Sequence, residues 1–288
     1  MESGEDPLGQ QRPHSARMYD FYLGGRTNYP SDRRAAAKAL TAYPNAMIAS
    51  RLNRAFMHRA TRYAAETAGI RQFLDIGTGI PTQPNLHQVA QMYRPDARVV
   101  YVDNDPIVLN FARALLTGTA QGRTDYIEAD VREPETILER VRRTLDFSEP
   151  VAVSLVALLH FVVDAEESYG IVRSLLGPLA PGSLLALSHI TGEHDAGEHG
   201  GAAGGEGVVE EGMAAVARVY EKAGMPLRLA SRDEVGRFFD GLDPVEPFLV
   251  PSCDWRPDLA LDTDLPTLPG MISPAETGVW VGVAHKRD

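Results

Sequence analysis

From Arg71 to Ile190, short apolar runs alternate with helical segments, and this alternation constrains the fold more than any other feature. The runs are QFLDIG, RVVYVD, TDYIEAD, VAVSLV and SLLALSHI. Helices are predicted between them, over Asn85 to Tyr93, Pro106 to Leu116, Pro134 to Leu145 and Glu166 to Leu176. Strands joined by helical crossovers pair in parallel and are covered on both faces. The result is a doubly wound α/β sheet. Such a sheet binds its ligands at the carboxyl ends of its strands.

The flanking segments read differently. Residues 1–15 are polar and rich in Gly, Pro and Gln, which predicts a flexible tail. Residues 16–69 show helical patterns and no strand. Ser31 or Asp32 is an N-cap candidate, Pro44 stops one helix, and Gly69 closes a longer one begun near Ala46. This segment is read as a helical cap over a sheet that occupies 70–288. The stretch 192–207, rich in Gly, Glu and His, reads as a flexible loop, and a helix follows from about Val208 to Ala223. Ser231 with Glu234 makes a capping box. Two late strands, EPFLVP and GVWVGVAHK, complete an expected seven-stranded, mostly parallel sheet.

Composition limits the function. The formal net charge is -11, which argues against non-specific nucleic-acid binding. Arginines crowd the N-terminal third; solvated helix faces account for most, and one or two can clamp an anion. Cys253 is the single cysteine, so neither an internal disulfide nor a cysteine zinc site is expected. His189, His194 and His199 match no metal-binding spacing. Without an apolar leader or a long apolar run, a cytoplasmic, non-membrane protein is the simplest reading.

The chemistry centres on Asp75-Ile76-Gly77-Thr78-Gly79-Ile80-Pro81-Thr82. A buried strand delivers a carboxylate and then two glycines, which allow a sharp turn and close ligand approach. Pro81 suits the first turn of a helix, where its missing N–H is no loss. Asp103 ends the second strand, placed to accept ribose hydroxyls; this supports adenosine without separating S-adenosylmethionine from NAD. Asn104 follows it. At the end of the third strand, Asp130 can meet an adenine amino group while a backbone N–H, at Val131, meets a ring nitrogen. The fourth strand runs into Ala157-Leu158-Leu159-His160.

In order, FLDIGTG, VVYVDNDP, YIEADVREP and VSLVALLHFVVD resemble class I S-adenosylmethionine-dependent methyltransferases over about residues 70–190. More narrowly, the chain resembles the actinobacterial S-adenosyl methyltransferase family, once a domain of unknown function. That likeness rests on ARMYDFYLGGRTNYPSDR, LNRAFMHRA, IRQFLDIGTGIPTQPNLHQVAQ, RVVYVDNDP, PGSLLALSHIT and WRPD, and spans nearly the whole chain. It implies a Rossmann-like fold, with S-adenosylmethionine as cofactor and S-adenosylhomocysteine as product. Asp75, Gly77 and Gly79 would hold the amino acid end. Asp103 would bind the ribose and Asp130 the adenine. Ala157 and Leu158 would offer backbone atoms beside the methionine portion. Pro81 departs from the third glycine common in such enzymes.

Methyl transfer needs a general base only if the acceptor loses a proton. His160 is the catalytic candidate; His87 and His189 are weaker ones, suited to packing or helix support. Tyr19, Tyr22, Arg26 and Tyr29, around Gly24-Gly25, suit either a lid or a packed cap. Arg26 is the residue expected to pair with the cofactor carboxylate. Asn53 and Arg54 would tie down the cap, and Trp255 would pack. A small-molecule acceptor and a monomer or homodimer are expected. The alternatives are a protein that senses S-adenosylmethionine without consuming it and, below that, an NAD-dependent oxidoreductase lacking the Tyr-x-x-x-Lys pair.

Overall fold

The computed structural model describes residues 10–115, 118–193, 206–264 and 277–287. Most of the expected tail and of the 192–207 loop, with His194 and His199, lies outside them. Helices α1 (Ser15–Tyr22), α2 (Pro30–Ala42) and α3 (Ala46–Arg62) come first. A single π-turn (Tyr63–Thr67) extends α3, and Gly69, at φ 72°, ends it. Then follow β1 (Gln72–Ile76), α4 (Leu86–Tyr93), β2 (Arg98–Asp103), α5 (Pro106–Leu115), β3 (Arg123–Glu128) and α6 (Pro134–Val141). Next are β4 (Val151–Leu155), α7 (Ala165–Leu176), β5 (Leu184–Ile190), α8 (Glu206–Lys222) and α9 (Arg232–Gly236). The chain closes with β6 (Leu242–Pro244), β7 (Val250–Pro251) and β8 (Val279–Lys286).

The strands form one sheet in the order β3-β2-β1-β4-β5-β8-β6, with β7 also paired to β8. β1 to β5 are mutually parallel, while β8 runs antiparallel to β5. Alternate side chains of β1 explain the two layers, because successive strand residues face opposite ways. Leu74 joins Val100, Val153 and Leu185 against Ile137, Val141, Val172 and Leu175 of α6 and α7. Phe73 joins Val99, Tyr101 and Ala152 against Phe56, Ala60, Leu86 and Ala90 of α3 and α4. A third apolar cluster packs α1 and α2 on α8, through Met18, Ala36, Ala39, Met213 and Val216.

Three details correct the sequence reading. The sheet has eight strands among the described residues, not seven. EPFLVP is not one strand: only Val250–Pro251 pairs with β8, since Pro247 has no N–H to donate and Leu249 sits at φ 52°. The missing strand is instead the preceding segment, Leu242–Pro244. Pro81 does not open a helix. α4 begins at Leu86, where Asn85 and Gln88 form a capping box. The Thr82 and Pro84 carbonyls are instead held by α3: the Arg54 guanidinium donates to both. His58 lies 2.9 Å from the Pro84 carbonyl and 2.6 Å from the Asp264 carboxylate.

The described chain also begins earlier than expected of a tail. His14 caps α1, and its ring lies 3.2 Å from the Asp105 carboxylate. No helix among the described residues is long and apolar enough to cross a membrane.

Candidate active site

One cavity of about 620 Å³ lies over the carboxyl ends of β1, β2, β3 and β4, beneath the helical cap. That size suits a drug-sized ligand. Asp75, Gly77, Thr78, Gly79, Asp103, Asn104, Asp130, Val131, Ala157, Leu158, His160, Tyr19 and Tyr22 all line it. Sequence positions up to 141 residues apart are thus gathered at the sheet's topological switch, where β1 separates β2 from β4.

The glycine turn is fixed by β2. The Gly77 N–H donates to the Val102 carbonyl (2.8 Å) and the Gly79 N–H to the Asp103 carboxylate (2.8 Å). Gly77 and Gly79 have φ of 73° and 65°, a region in which a side chain is strained. A Cβ on Gly77 would stand 2.7 Å from the Leu158 side chain, whereas one on Gly79 would meet nothing nearer than Ala16 at 4.0 Å. Leu158 therefore closes down on the first glycine, and the second opens to the cavity. The Asp103 carboxylate also accepts the Asp105 N–H at 2.9 Å. Burial pushes its pKa up, against these two backbone donors.

The other carboxylates differ. At Asp130 burial acts upward, but donors from the Arg132 backbone and Asn104, with the Arg132 charge, more than offset it. The net shift is downward, so Asp130 is an ionised acceptor. The Asn104 amide reaches it at 3.1 Å. Asp75 is enclosed at the cavity floor. Burial pushes its pKa up to about 6, although the Ser154 hydroxyl and the Arg54 charge pull the other way. Its proton therefore leaves only as pH rises through about 6.

Above Asp75, α3 contributes a feature the sequence reading missed. Asn53 donates to the Tyr19 hydroxyl (3.1 Å), which donates to the Ser50 carbonyl (2.9 Å). The Asn53 Oδ1 and the Arg54 Nε are buried beside the cavity and have no protein partner. One is an acceptor and the other a cationic donor. Such groups are costly to leave unmet in a protein interior, and their position points to a ligand. The signal was present in LNRAFMHRA, where Asn and Arg sit in the helix that precedes β1; the tie to the cap was expected, the open atoms were not.

Arg26, Tyr29 and Pro81 are not brought to the cavity. Arg26 is exposed. The turn carrying it is built around Asp20, whose carboxylate accepts the Thr27 N–H (2.9 Å) and the Asn28 amide (2.8 Å). Tyr29 stacks under the Arg17 guanidinium, 5.3 Å from its ring centroid. His87 is a support for α4: its N–H and ring both meet the Tyr101 hydroxyl at 2.8 Å. Trp255 is fully buried, edge-on to Phe56 at 5.5 Å, and the Arg59 guanidinium holds its carbonyl at 2.6 Å.

At the end of β4, Ala157 adopts φ 56°, and its N–H donates to the Ser188 hydroxyl at 2.8 Å. Strained backbone of this kind concentrates at ligand sites. Only its carbonyl remains for a ligand. His160 is buried, with Nδ1 unpartnered, and its ring meets that of His189 edge-on at 5.7 Å. Burial, with help from His189, lowers the His160 pKa well below the usual imidazole range. Burial likewise pulls His189 down to about 4. Both rings are neutral at physiological pH.

This topology and glycine turn define a Rossmann-like, class I S-adenosylmethionine-dependent methyltransferase. The family model for S-adenosyl methyltransferases matches residues 1–287, and the chain belongs to that family. Two solved structures are similar over nearly their whole length. One is a DUF574 family protein from Streptomyces avermitilis: 42% identity, TM-score 0.85, covering 97% of this chain and 99% of that one. The other, from Thermobifida fusca, is provisionally described as a methyltransferase: 36% identity, TM-score 0.82, covering 99% of this chain and 100% of that one. No curated protein matches the chain. S-adenosylmethionine is the cofactor.

Proposed function

We propose that this enzyme methylates a small molecule, with the cofactor lying across the tips of β1 to β4. One observation carries this reading: a single cavity runs from Asp130, past Asp75 and His160, to Tyr220 on α8. Both partners can therefore be enclosed together, away from water. The net charge of -11 disfavours nucleic acid as acceptor. The single cysteine fits a reducing, cytoplasmic setting.

The residues fit the cofactor piece by piece. Asp103 accepts the ribose hydroxyls and ionised Asp130 the adenine amine, beside Val131 and Asn104. Asp75 and the open Asn53 Oδ1 hold the ammonium, and the open Arg54 Nε–H meets the carboxylate. Thr78 and Gly79 supply the close-approach backbone, and Leu158, packed on Gly77, the wall. Once bound, S-adenosylmethionine supplies a methyl group already activated by its sulfonium. The protein's task is then to position and to exclude water. His160 Nδ1, a neutral lone pair in the cavity wall, takes up the proton of an acceptor that loses one.

The amino acid contacts are separable by experiment. Arg54→Met should weaken S-adenosylhomocysteine binding about 10- to 100-fold, as for a lost charge-assisted hydrogen bond. Binding of 5′-methylthioadenosine, which lacks the amino acid end, should stay within about twofold of wild type. Equal losses for both ligands in calorimetry would place Arg54 elsewhere than at the carboxylate.

Asp75 adds a pH signature. Its carboxylate is charged above about 6 and neutral below. Protonation removes the partner of the ammonium, so affinity falls on acidification. Between pH 7.5 and pH 5, S-adenosylhomocysteine should lose about tenfold, since one unit below the pKa leaves roughly a tenth of the carboxylate ionised. Asp75→Asn should flatten that pH dependence; an unchanged slope would remove Asp75 from the site.

A further inference from the structure

The cavity has two chemically unlike halves. The half assigned to the cofactor holds the carboxylates of Asp75, Asp103 and Asp130 and the Arg54 guanidinium, with Arg132, Asp164 and Glu167 at its rim. The half beyond His160 is walled by α1, the α2–α3 turn, α8 and the segment after α8. Its lining includes Tyr22, Tyr43, Met213, Val216, Tyr220 and Leu227. Among the described residues this half presents no carboxylate, ammonium or guanidinium. Its wall is continuous with the apolar cluster that packs the cap on α8. Besides the Tyr43 phenol, two phenols are paired there: the Tyr220 hydroxyl donates to the Tyr22 hydroxyl at 3.4 Å. Burial pushes Tyr22 up to about 12 and Tyr220 well above its usual range, so both stay neutral. Phe161, the residue after His160, lies 6.0 Å from the Tyr220 ring and joins the two halves.

We propose that the methyl acceptor is an uncharged, largely apolar molecule, seated between α1 and α8 and anchored by a hydrogen bond to the Tyr22–Tyr220 pair. A charged acceptor would leave water for a wall with no counter-ion, and burying an unpaired charge is strongly unfavourable. A flat apolar body would instead replace water against aromatic and thioether side chains. An uncharged acceptor carrying a hydroxyl also matches the neutral His160 beside it. The O–C bond forms as the sulfonium S–C bond breaks. The hydroxyl proton passes to His160 Nδ1, and S-adenosylhomocysteine leaves as a neutral thioether.

The inference rests on the small-molecule reading above, and its test is separable from that of the cofactor site. The full chain is titrated with 2-naphthol, 2-naphthoate and 2-naphthylmethylammonium, each with and without saturating S-adenosylhomocysteine. 2-Naphthol should bind at least tenfold tighter than either ion. Met225→Glu, at the partly exposed lip of the same wall, should weaken naphthol at least tenfold and leave S-adenosylhomocysteine unchanged. Tyr22→Phe with Tyr220→Phe, which keeps the packing, should weaken naphthol about three- to tenfold. Tight binding of either ion, no naphthol binding, or naphthol binding indifferent to these variants would overturn the proposal. If S-adenosylhomocysteine failed to bind while naphthol still did, the cofactor assignment would fall and this one would stand.

Discussion

Asp103→Ala should weaken S-adenosylhomocysteine binding by about 1.5–3 kcal/mol, roughly 10- to 150-fold, on the scale of hydrogen bonds to a charged group. Two effects add. The ribose loses its acceptor, and the Gly79 and Asp105 N–H groups lose the carboxylate that holds the turn in place. Because 5′-methylthioadenosine keeps the ribose, its affinity should fall equally. That behaviour is the opposite of Arg54→Met and assigns the two residues to opposite ends of the cofactor. An unchanged affinity for both ligands would mean that Asp103 is not the ribose ligand.

Gly77→Val should be more severe, with binding reduced at least a hundredfold in a protein that still folds. A β-branched residue at φ 73° is strained by about 1–2 kcal/mol. Its Cβ also collides with Leu158, 2.7 Å away, and the relief is to push Leu158 into the cavity. The damage is thus a blocked cavity and a distorted turn together. Gly79→Ala separates the two, because its Cβ has open space and only the backbone strain remains. It should lose about tenfold, the effect of roughly 1.4 kcal/mol. Calorimetry with a melting curve for each variant checks the order. Equal effects at both glycines would show that Leu158 does not matter.

The sheet was legible because its signal is periodic and local. Parallel strands buried on both faces read as apolar runs, and each run here ends in the residue that reaches the cavity: Asp75 within the first, Asp103 at the second, Asp130 just past the third. The antiparallel edge was less legible. β6 and β7 are three and two residues long and owe their pairing to β8, not to any pattern of their own.

The cap shows why arginines were hard to sort. Arg26 stood among two glycines and three tyrosines, which resembles a lid. Asp20, however, gathers Thr27 and Asn28 into a turn that carries Arg26 to solvent. Arg54 read only as a tie for the cap. Its role depends on which face of α3 meets β1, a tertiary fact that no local pattern encodes. Pro81 failed for a similar reason. A proline after a glycine turn fits a helix start, but Arg54 and His58 capture the following carbonyls and delay α4 to Leu86.

The decisive measurement is a structure of the full chain with S-adenosylhomocysteine. Ribose hydroxyls are expected on Asp103, the adenine amine on Asp130, and the amino acid carboxylate on Arg54. The sulfur should face the apolar half between His160 and Tyr220. A ligand bound with its adenine toward α8, or its carboxylate away from Arg54, would contradict this placement.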